Sequence, residues 1–435
     1  MLATDTSSYL LSEEEEDCLA RKRRIEIVER QTRHPSITSA TAGNGSSRDV
    51  GRHNAALVLQ TMLADGPLAR ATLAERIGLT RGTVTRVTAK LLEINLLQEL
   101  SLVRMPFGRP MVPLDISTEG RAVATVHLGA SEMRIGLVGL RGVAFCERKI
   151  PYSLTDPKSM VAVVAEQVKR TVGQELGSRR LLGVGVSIGG WVDSDTGTVV
   201  HYAPLNWRNV PLASMLKDAL RLPLAFDQMV RGMALAEMMF GSARGTRDFI
   251  ELYVGNIVGA ALIDDGRPRR GPRGAAGIVS HLPIPGASGA RCSCGRNDCL
   301  ESVASDTAVV ERARNSGILA ADENVYTLIG YARRGNEAAI ALLDERAGYL
   351  AAASGLIIDL VNPTLLVLAG SPVQTPRLLE VFQAALTGAS ERTVGDTVPV
   401  LLSSLGEVAP TSASAALFLD EYYQDPFAYE SSPLS

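Results

Sequence analysis

Cys292, Cys294 and Cys299 lie within eight positions of one another, and His281 stands a short loop upstream. Three thiolates and one imidazole are the ligand set of a closed, four-coordinate zinc site, with no position left for a reacting water. The surrounding stretch, 274–301, is rich in glycine and holds prolines, which lets a loop wrap a small ion. A disulfide within the trio, or coincidence, is the alternative. A Cys-x-Cys pair with a third Cys and a His is compact enough to favour the metal. Such a metal is structural. It pins a loop, and that loop carries Glu301 two residues past the last ligand.

The elements that must hold this loop belong to a chain of 435 residues, enough for two or three domains. It is 46% hydrophobic and 21% charged, ordinary for a globular protein with a real core. A net charge of −3 argues against a generic polyanion binder, and no run of about 18 apolar residues would span a bilayer. The N-terminus is polar and acidic where a signal peptide would be apolar, and five cysteines, three of them clustered, fit a reducing cytoplasm. Residues 1–52 hold an SEEEED block, an RKRR block and a Ser/Thr/Gly/Asn-rich run. That composition reads as a disordered tail, with 17–31 as its one potential helix. The RKRR block reads as solvated rather than as a DNA contact.

Residues 53–118 carry three helical patterns: 54–64, 70–77 and 81–94. Leu73 and Ile77 mark one face of the second; Val84, Val87 and Leu91 mark one face of the third. Gly78-Leu79-Thr80 forms the turn between them, and Thr80 caps the third. A short helix, a glycine turn and a second amphipathic helix make a helix-turn-helix, whose second helix enters the major groove. From Pro67 to Pro110 there are seven basic residues against three acidic ones, inside a net-negative chain. That asymmetry fits phosphate binding. Arg81 and Thr83, with Gly82 between them, are candidates for base edges; Arg70, Arg86 and Lys90 are candidates for the backbone. Strands at 97–103 and 111–116 flank Phe107-Gly108-Arg109-Pro110 and read as a wing, with Arg109 reaching the DNA backbone or the minor groove. The alternative is a small helical domain with an ordinary charged face.

Residues 119–430 alternate strand and helix signals. Strands are expected at 122–127, 134–140, 142–150, 182–187, 249–254, 260–264 and 365–369. Helices are expected at 160–175, 212–220, 230–240 and 337–360. The fold class is α/β.

CSCGRNDCLE, preceded by His281, resembles the ROK family of repressors, open reading frames and sugar kinases, whose pattern is Gly-His, then Cys-x-Cys-Gly-x-x-Gly-Cys-x-Glu. Asp298 stands where the family usually has Gly, and Ser280 where it has the Gly before His. Leu79–Arg86 and Gly108-Arg109-Pro110 resemble the third helix and wing of the ROK repressors, so the likeness spans about 51–425. It implies an N-terminal winged helix-turn-helix joined to a two-lobed actin-like, ribonuclease-H-like ATPase-fold domain with a sugar cleft. Its kinases use an Asp as general base in a Glu-Asn-Asp run; here those places are Asp227, Gln228 and Met229. Met cannot accept a proton, although Asp227 is only two residues away. The phosphate loops also depart from the family: His127-Leu128-Gly129-Ala130-Ser131 replaces Asp-x-Gly-Gly-Thr, and Gly255-Asn256-Ile257-Val258-Gly259 replaces Gly-Thr-Gly-x-Gly. In the sugar pocket, Gln228, His281 and Glu301 remain as ligand-binding candidates, while Met229 and Ile278 replace two carboxylates. Trp191, Asn206 and Trp207 belong either to the cleft wall or to the core.

The expectation is a cytoplasmic, DNA-binding regulator, a repressor, that senses a sugar or sugar phosphate without kinase activity. It would act on a double-stranded operator as a homodimer or homotetramer. The alternatives are a sugar kinase with an appended head, and a ligand-independent DNA-binding protein with a degenerate pocket.

Overall fold

A computed structural model describes residues 47–102, 111–289, 291–292, 294–387 and 398–430. The 17–31 helix, the RKRR block and the wing tip with Arg109 lie outside the described residues.

The head is built from α1 (Ser47–Asp65), α2 (Arg70–Ile77), α3 (Arg81–Glu93), β1 (Leu97–Glu99) and β2 (Leu114–Ile116). α1 begins at Ser47, inside the stretch expected as tail up to residue 52. α2 ends on Gly78 in the left-handed conformation, φ 69°, which a β-carbon would strain. Thr80 caps α3 by accepting from the Thr83 amide. β1 and β2 pair antiparallel and are shorter than the runs that foretold them.

The sensor starts with β3 (Arg121–Leu128), β4 (Glu132–Val138), β5 (Ala144–Pro151), α4 (Pro157–Glu175) and β6 (Arg180–Ile188). The small strands β7 (Trp191–Asp193), β8 (Thr198–Tyr202) and β9 (Trp207–Val210) follow, then α5 (Leu212–Leu220), β10 (Leu224–Gln228) and α6 (Met229–Phe240). The second half holds β11 (Phe249–Val254), β12 (Val258–Asp264), β13 (Arg267–Pro268), α7 (Leu300–Ala304), α8 (Asp306–Asn315), α9 (Val325–Arg333) and α10 (Glu337–Val361). It closes with β14 (Leu365–Gly370), α11 (Leu378–Thr387), β15 (Val400–Leu402), α12 (Ala409–Gln424) and α13 (Pro426–Glu430).

Two five-stranded mixed sheets form the two lobes, in the orders β10-β6-β3-β4-β5 and β13-β12-β11-β14-β15. In the first, β10, β6 and β3 run parallel; in the second, β11, β14 and β15 do. Parallel strands need cover on both faces, which explains why β3 is buried at all eight positions. One buried cluster takes Val58, Leu59 and Met62 of α1 together with Val123, Leu182, Leu235, Phe418 and Tyr422 of the sensor. The head therefore has no separate core. Arg121, itself buried, reinforces the join by donating to the carbonyls of Ile94 and Asn95.

Candidate functional site

His281, Cys292, Cys294 and Cys299 come together as their spacing suggested. A ring nitrogen of His281 and the sulfurs of Cys292, Cys294 and Cys299 all lie within 4.8 Å of one another, with His281 Nδ1 3.3 Å from Cys292 Sγ. The Cys292 amide donates to the Arg296 carbonyl, and the Gly295 amide to the Cys292 carbonyl. That turn needs Gly295, whose φ is +92°. Cys299 bridges antiparallel to Pro283, bringing the last sulfur back beneath the first. Bonds from Arg296 lower the Cys294 thiol to about 6, while burial foremost pushes Cys299 up to about 12. One nitrogen and three sulfurs at this separation fit a tetrahedral cation with bonds of about 2.0 and 2.3 Å. The cluster can hold a metal.

Glu301 opens α7, directly after this loop. Its amide donates to the Ser280 carbonyl, and its Oε2 accepts from the Val258 amide at 3.3 Å. Burial raises its pKa, against the Val258 bond and the nearby His281. Gln228 sits on the other lobe, at the end of β10. Its Nε2 donates to the Gly190 carbonyl at 2.7 Å, while its buried Oε1 has no partner among the described residues. The turns beside these two positions meet. A β-carbon on Gly189 would lie 3.4 Å from Ile257 Cδ1, and Ile257 precedes the Val258 that bonds Glu301.

Asp227 was the residue that could have served as a displaced base. It is 1% exposed, and its Oδ1 takes Arg231 Nε at 2.8 Å while its Oδ2 takes Arg270 Nε at 2.9 Å. Oδ1 also accepts from the Gln228 amide. The Arg231 guanidinium goes on to the carbonyls of Val192 and Gly274. Asp227 is therefore a structural anchor tying α6 to the loop before the cysteine cluster. Met229, at the position where the resemblance puts the base, is buried in an apolar cluster with Val230 and Met233. At the first loop, His127 Nδ1 lies 3.0 Å from Ser187 Oγ, and burial together with the Arg134 charge lowers its pKa to about 3, so it is neutral. At the second, Gly255 to Gly259 form a tight hairpin between β11 and β12. Trp207 is a core residue whose indole donates to the Thr155 carbonyl; Trp191 is half-buried and lies under Arg273, 5.4 Å from ring centroid to guanidinium carbon. Asn206 takes a left-handed turn at φ 53°.

In the head, Arg81, Gly82, Arg86 and Lys90 are exposed along α3, opposite Val84, Val87 and Leu91, and Thr83 is half-buried. Thr83 Oγ1 lies 2.9 Å from Thr80 Oγ1. Arg70 has a structural job that the sequence did not reveal. Its guanidinium joins Thr88 Oγ1 at 3.2 Å and Glu99 at 2.9 Å, bracing α3 against β1.

A ROK-family model matches residues 123–421. The chain belongs to the ROK family. It is 32% identical to a transcriptional regulator of Mycobacterium tuberculosis over 86% of both chains. It is 26% identical to the N-acetylglucosamine repressor of Shigella flexneri over 83% of this chain and 91% of the repressor. Among solved structures, a ROK family transcriptional regulator, a homologue of the Escherichia coli MLC protein, aligns at TM-score 0.74 and 24% identity over 86% of this chain and 97% of its own. A ROK glucokinase from Streptomyces griseus, solved with glucose and AMPPNP, aligns at TM-score 0.59 and 23% identity over 68% of this chain and 98% of its own. The two-lobed actin-like ROK fold is thus shared with regulators and kinases. The two sequence relatives just named match over more than four fifths of both chains and are regulators, and this chain is a ROK transcriptional regulator.

Proposed function

We propose that this regulator is a repressor, a symmetric homo-oligomer that reads a near-palindromic operator through α3 and the wing. Arg81 and Thr83, flanking Gly82, contact base edges, while Arg86, Lys90 and Arg109 contact phosphates. Arg70 holds α3 in position beside them. Zinc, bound by His281, Cys292, Cys294 and Cys299, fixes the loop carrying Glu301. The sensor binds a sugar or sugar derivative between Gln228, His281 and Glu301, and does not phosphorylate it. The protein works at the chromosome in the cytoplasm, as its regulator relatives support.

One observation carries the sensor reading. Asp227 is clamped between Arg231 and Arg270, and Met229 has no proton-accepting atom, so neither candidate base can take a sugar proton. The free Oε1 of Gln228 supports a ligand that donates a hydrogen bond there. Relatives named for N-acetylglucosamine and xylose repression support a carbohydrate as the class.

The test is selection of bound fragments from the source genome at about 0.15 M salt, where non-specific binding is suppressed. Enrichment of a few near-palindromic sites, lost in Arg81→Ala, is expected. No enrichment with folded, metal-loaded protein would overturn the operator reading. ADP release measured with a hexose panel tests the kinase alternative; hexose-dependent turnover by the wild type would reinstate it, and its loss in an Asp227→Asn variant shown to be folded would make Asp227 the base.

A further inference from the structure

α12 is divided into two unlike halves. Its first half is Ala-Pro-Thr-Ser-Ala-Ser-Ala-Ala, small side chains only, and residues 411–416 are all buried. Glycines of the first sheet and of α6 receive it. A β-carbon at Gly185 of β6 would lie 1.8 Å from the Ser414 carbonyl oxygen, and one at Gly232 of α6 would lie 2.8 Å from that of Ala413. At Gly136 of β4 it would lie 3.1 Å from Thr411 Cγ2. Helix backbone here touches strand backbone, and the side-chain links across the seam are hydrogen bonds, from Ser414 to Ser187 and the Val126 carbonyl and from Thr411 to Glu147.

The second half is the opposite. Phe418, Tyr422 and Tyr423 are buried, and Tyr429 of α13 packs edge-on against Phe418 at 5.3 Å and against Tyr422 at 5.7 Å. The same cluster contains Val58, Leu59 and Met62 of α1, which α12 contacts directly.

The smooth half is wired to the cleft. Ser414 Oγ lies 2.7 Å from Ser187 Oγ, which lies 3.0 Å from His127 Nδ1. Ser187 stands near the end of β6, three residues before the Gly190 carbonyl that holds Gln228. Interfaces of small residues permit sliding of packed helices, whereas interdigitated aromatics move as one body.

We propose that α12 is the coupling element of this regulator: it slides on its glycine cradle when the cleft at Gly190 and Gln228 rearranges, and its aromatic end carries α1 with it. The proposal rests on the reading of the head as a DNA reader and of the cleft as a ligand site. Coupling between two sites is reciprocal, so it can be probed from the protein side or the DNA side without knowing the small ligand.

The experiment is hydrogen exchange by mass spectrometry on the full chain. Gly185→Ala pushes on Ser414 from below; Val164→Ala weakens the other face of the same lobe, where Val164 belongs to a cluster without α12. In free protein, peptides of 50–65 are expected to exchange about tenfold faster in Gly185→Ala and within about twofold of wild type in Val164→Ala. Equal responses in the two variants, or none in Gly185→Ala, would overturn the proposal. Should Gly185→Ala not fold, Ser414→Ala breaks the polar chain without adding an atom, with the same expectation for 50–65. In wild type bound to a duplex recovered by the genomic selection, protection is expected at 185–192 and 409–424 as well as in the head. Protection confined to 50–116 would also overturn it. Failure to bind any duplex would sink the operator reading alone, because the free-protein comparison still decides the role of α12.

Discussion

Asp227 shows how one residue can be misread from its neighbours in sequence. An Asp two places before a Met in a kinase-like motif invites a shifted alignment, but its carboxylate is held by Arg231 four residues on and Arg270 forty-three residues on. The first partner was visible as an i, i+4 pair; the second required the fold. Breaking a buried pair from one side leaves the other charge stranded, at about 3–5 kcal/mol. Asp227→Asn is therefore expected to lower stability by that order in urea unfolding, with Arg231→Met in the same chain recovering part of it. A loss under about 1 kcal/mol would show that the clamp matters little. Glu251 makes a second case. It is fully buried on β11, and neither oxygen has a partner among the described residues. Burial, then the Glu237 charge, raises its pKa well above the ordinary carboxylate value. A raised folded-state pKa means that the folded chain holds the proton more tightly. Its contribution to stability is complete below the unfolded value of about 4.3 and is lost as pH rises through the folded value. Melting temperature is expected to fall between pH 5 and the alkaline range, and Glu251→Gln is expected to flatten that limb; parallel wild-type and Gln profiles would contradict a neutral Glu251.

At the scale of elements, legibility followed how local the determinants were. α2 and α3 came from apolar spacing and from Thr80, and the structure ends them within one residue of the expected bounds. The His–Cys cluster was legible because all four residues fall in nineteen positions of one loop. The task given to Arg70 was not, because Glu99 meets it only after α3 turns the chain back. Two predictions belong here. Thr80→Ala removes an N-cap and is expected to cost about 1 kcal/mol of stability. It is also expected to weaken operator binding, since the same hydroxyl holds Thr83; unchanged anisotropy titrations would separate the cap from recognition. For the loop, elemental analysis should give about one zinc per chain, and Cys294→Ser should lose it. Trypsin should then cut at Arg291 or Arg296 faster, because the ion no longer closes the turn. Equal cleavage with and without a chelator would mean that the backbone bonds at Cys292 and Gly295 hold the loop unaided.

At the scale of the whole molecule, the residues that join head to sensor come from opposite ends of the chain. Val58 and Met62 of α1 share a core with Phe418 and Tyr422 of α12, more than 350 positions later, and no local pattern announces such a meeting. This is why the sequence divided the chain at about residue 118, whereas the packing runs across that point. Arg121 just past it caps the carbonyls at the end of α3, and Arg141 pairs with Asp115 of β2. A head on a free linker would melt by itself, at its own temperature, since small helical domains bury little apolar surface alone. A head sharing its core with the first sheet cannot lose α1 without exposing Tyr422 and Phe418, so the two should unfold together. Calorimetry is expected to give one transition for head and first lobe, and tryptophan emission from Trp191 and Trp207 should change over the same range as α-helical circular dichroism. Tyr422→Ala opens the shared core, with a loss of about 3–5 kcal/mol expected for a large buried aromatic, and should split off a lower-melting head transition. Two transitions already present in wild type would mean that the head is an independent unit, and that signals from the cleft reach DNA by some route other than α12.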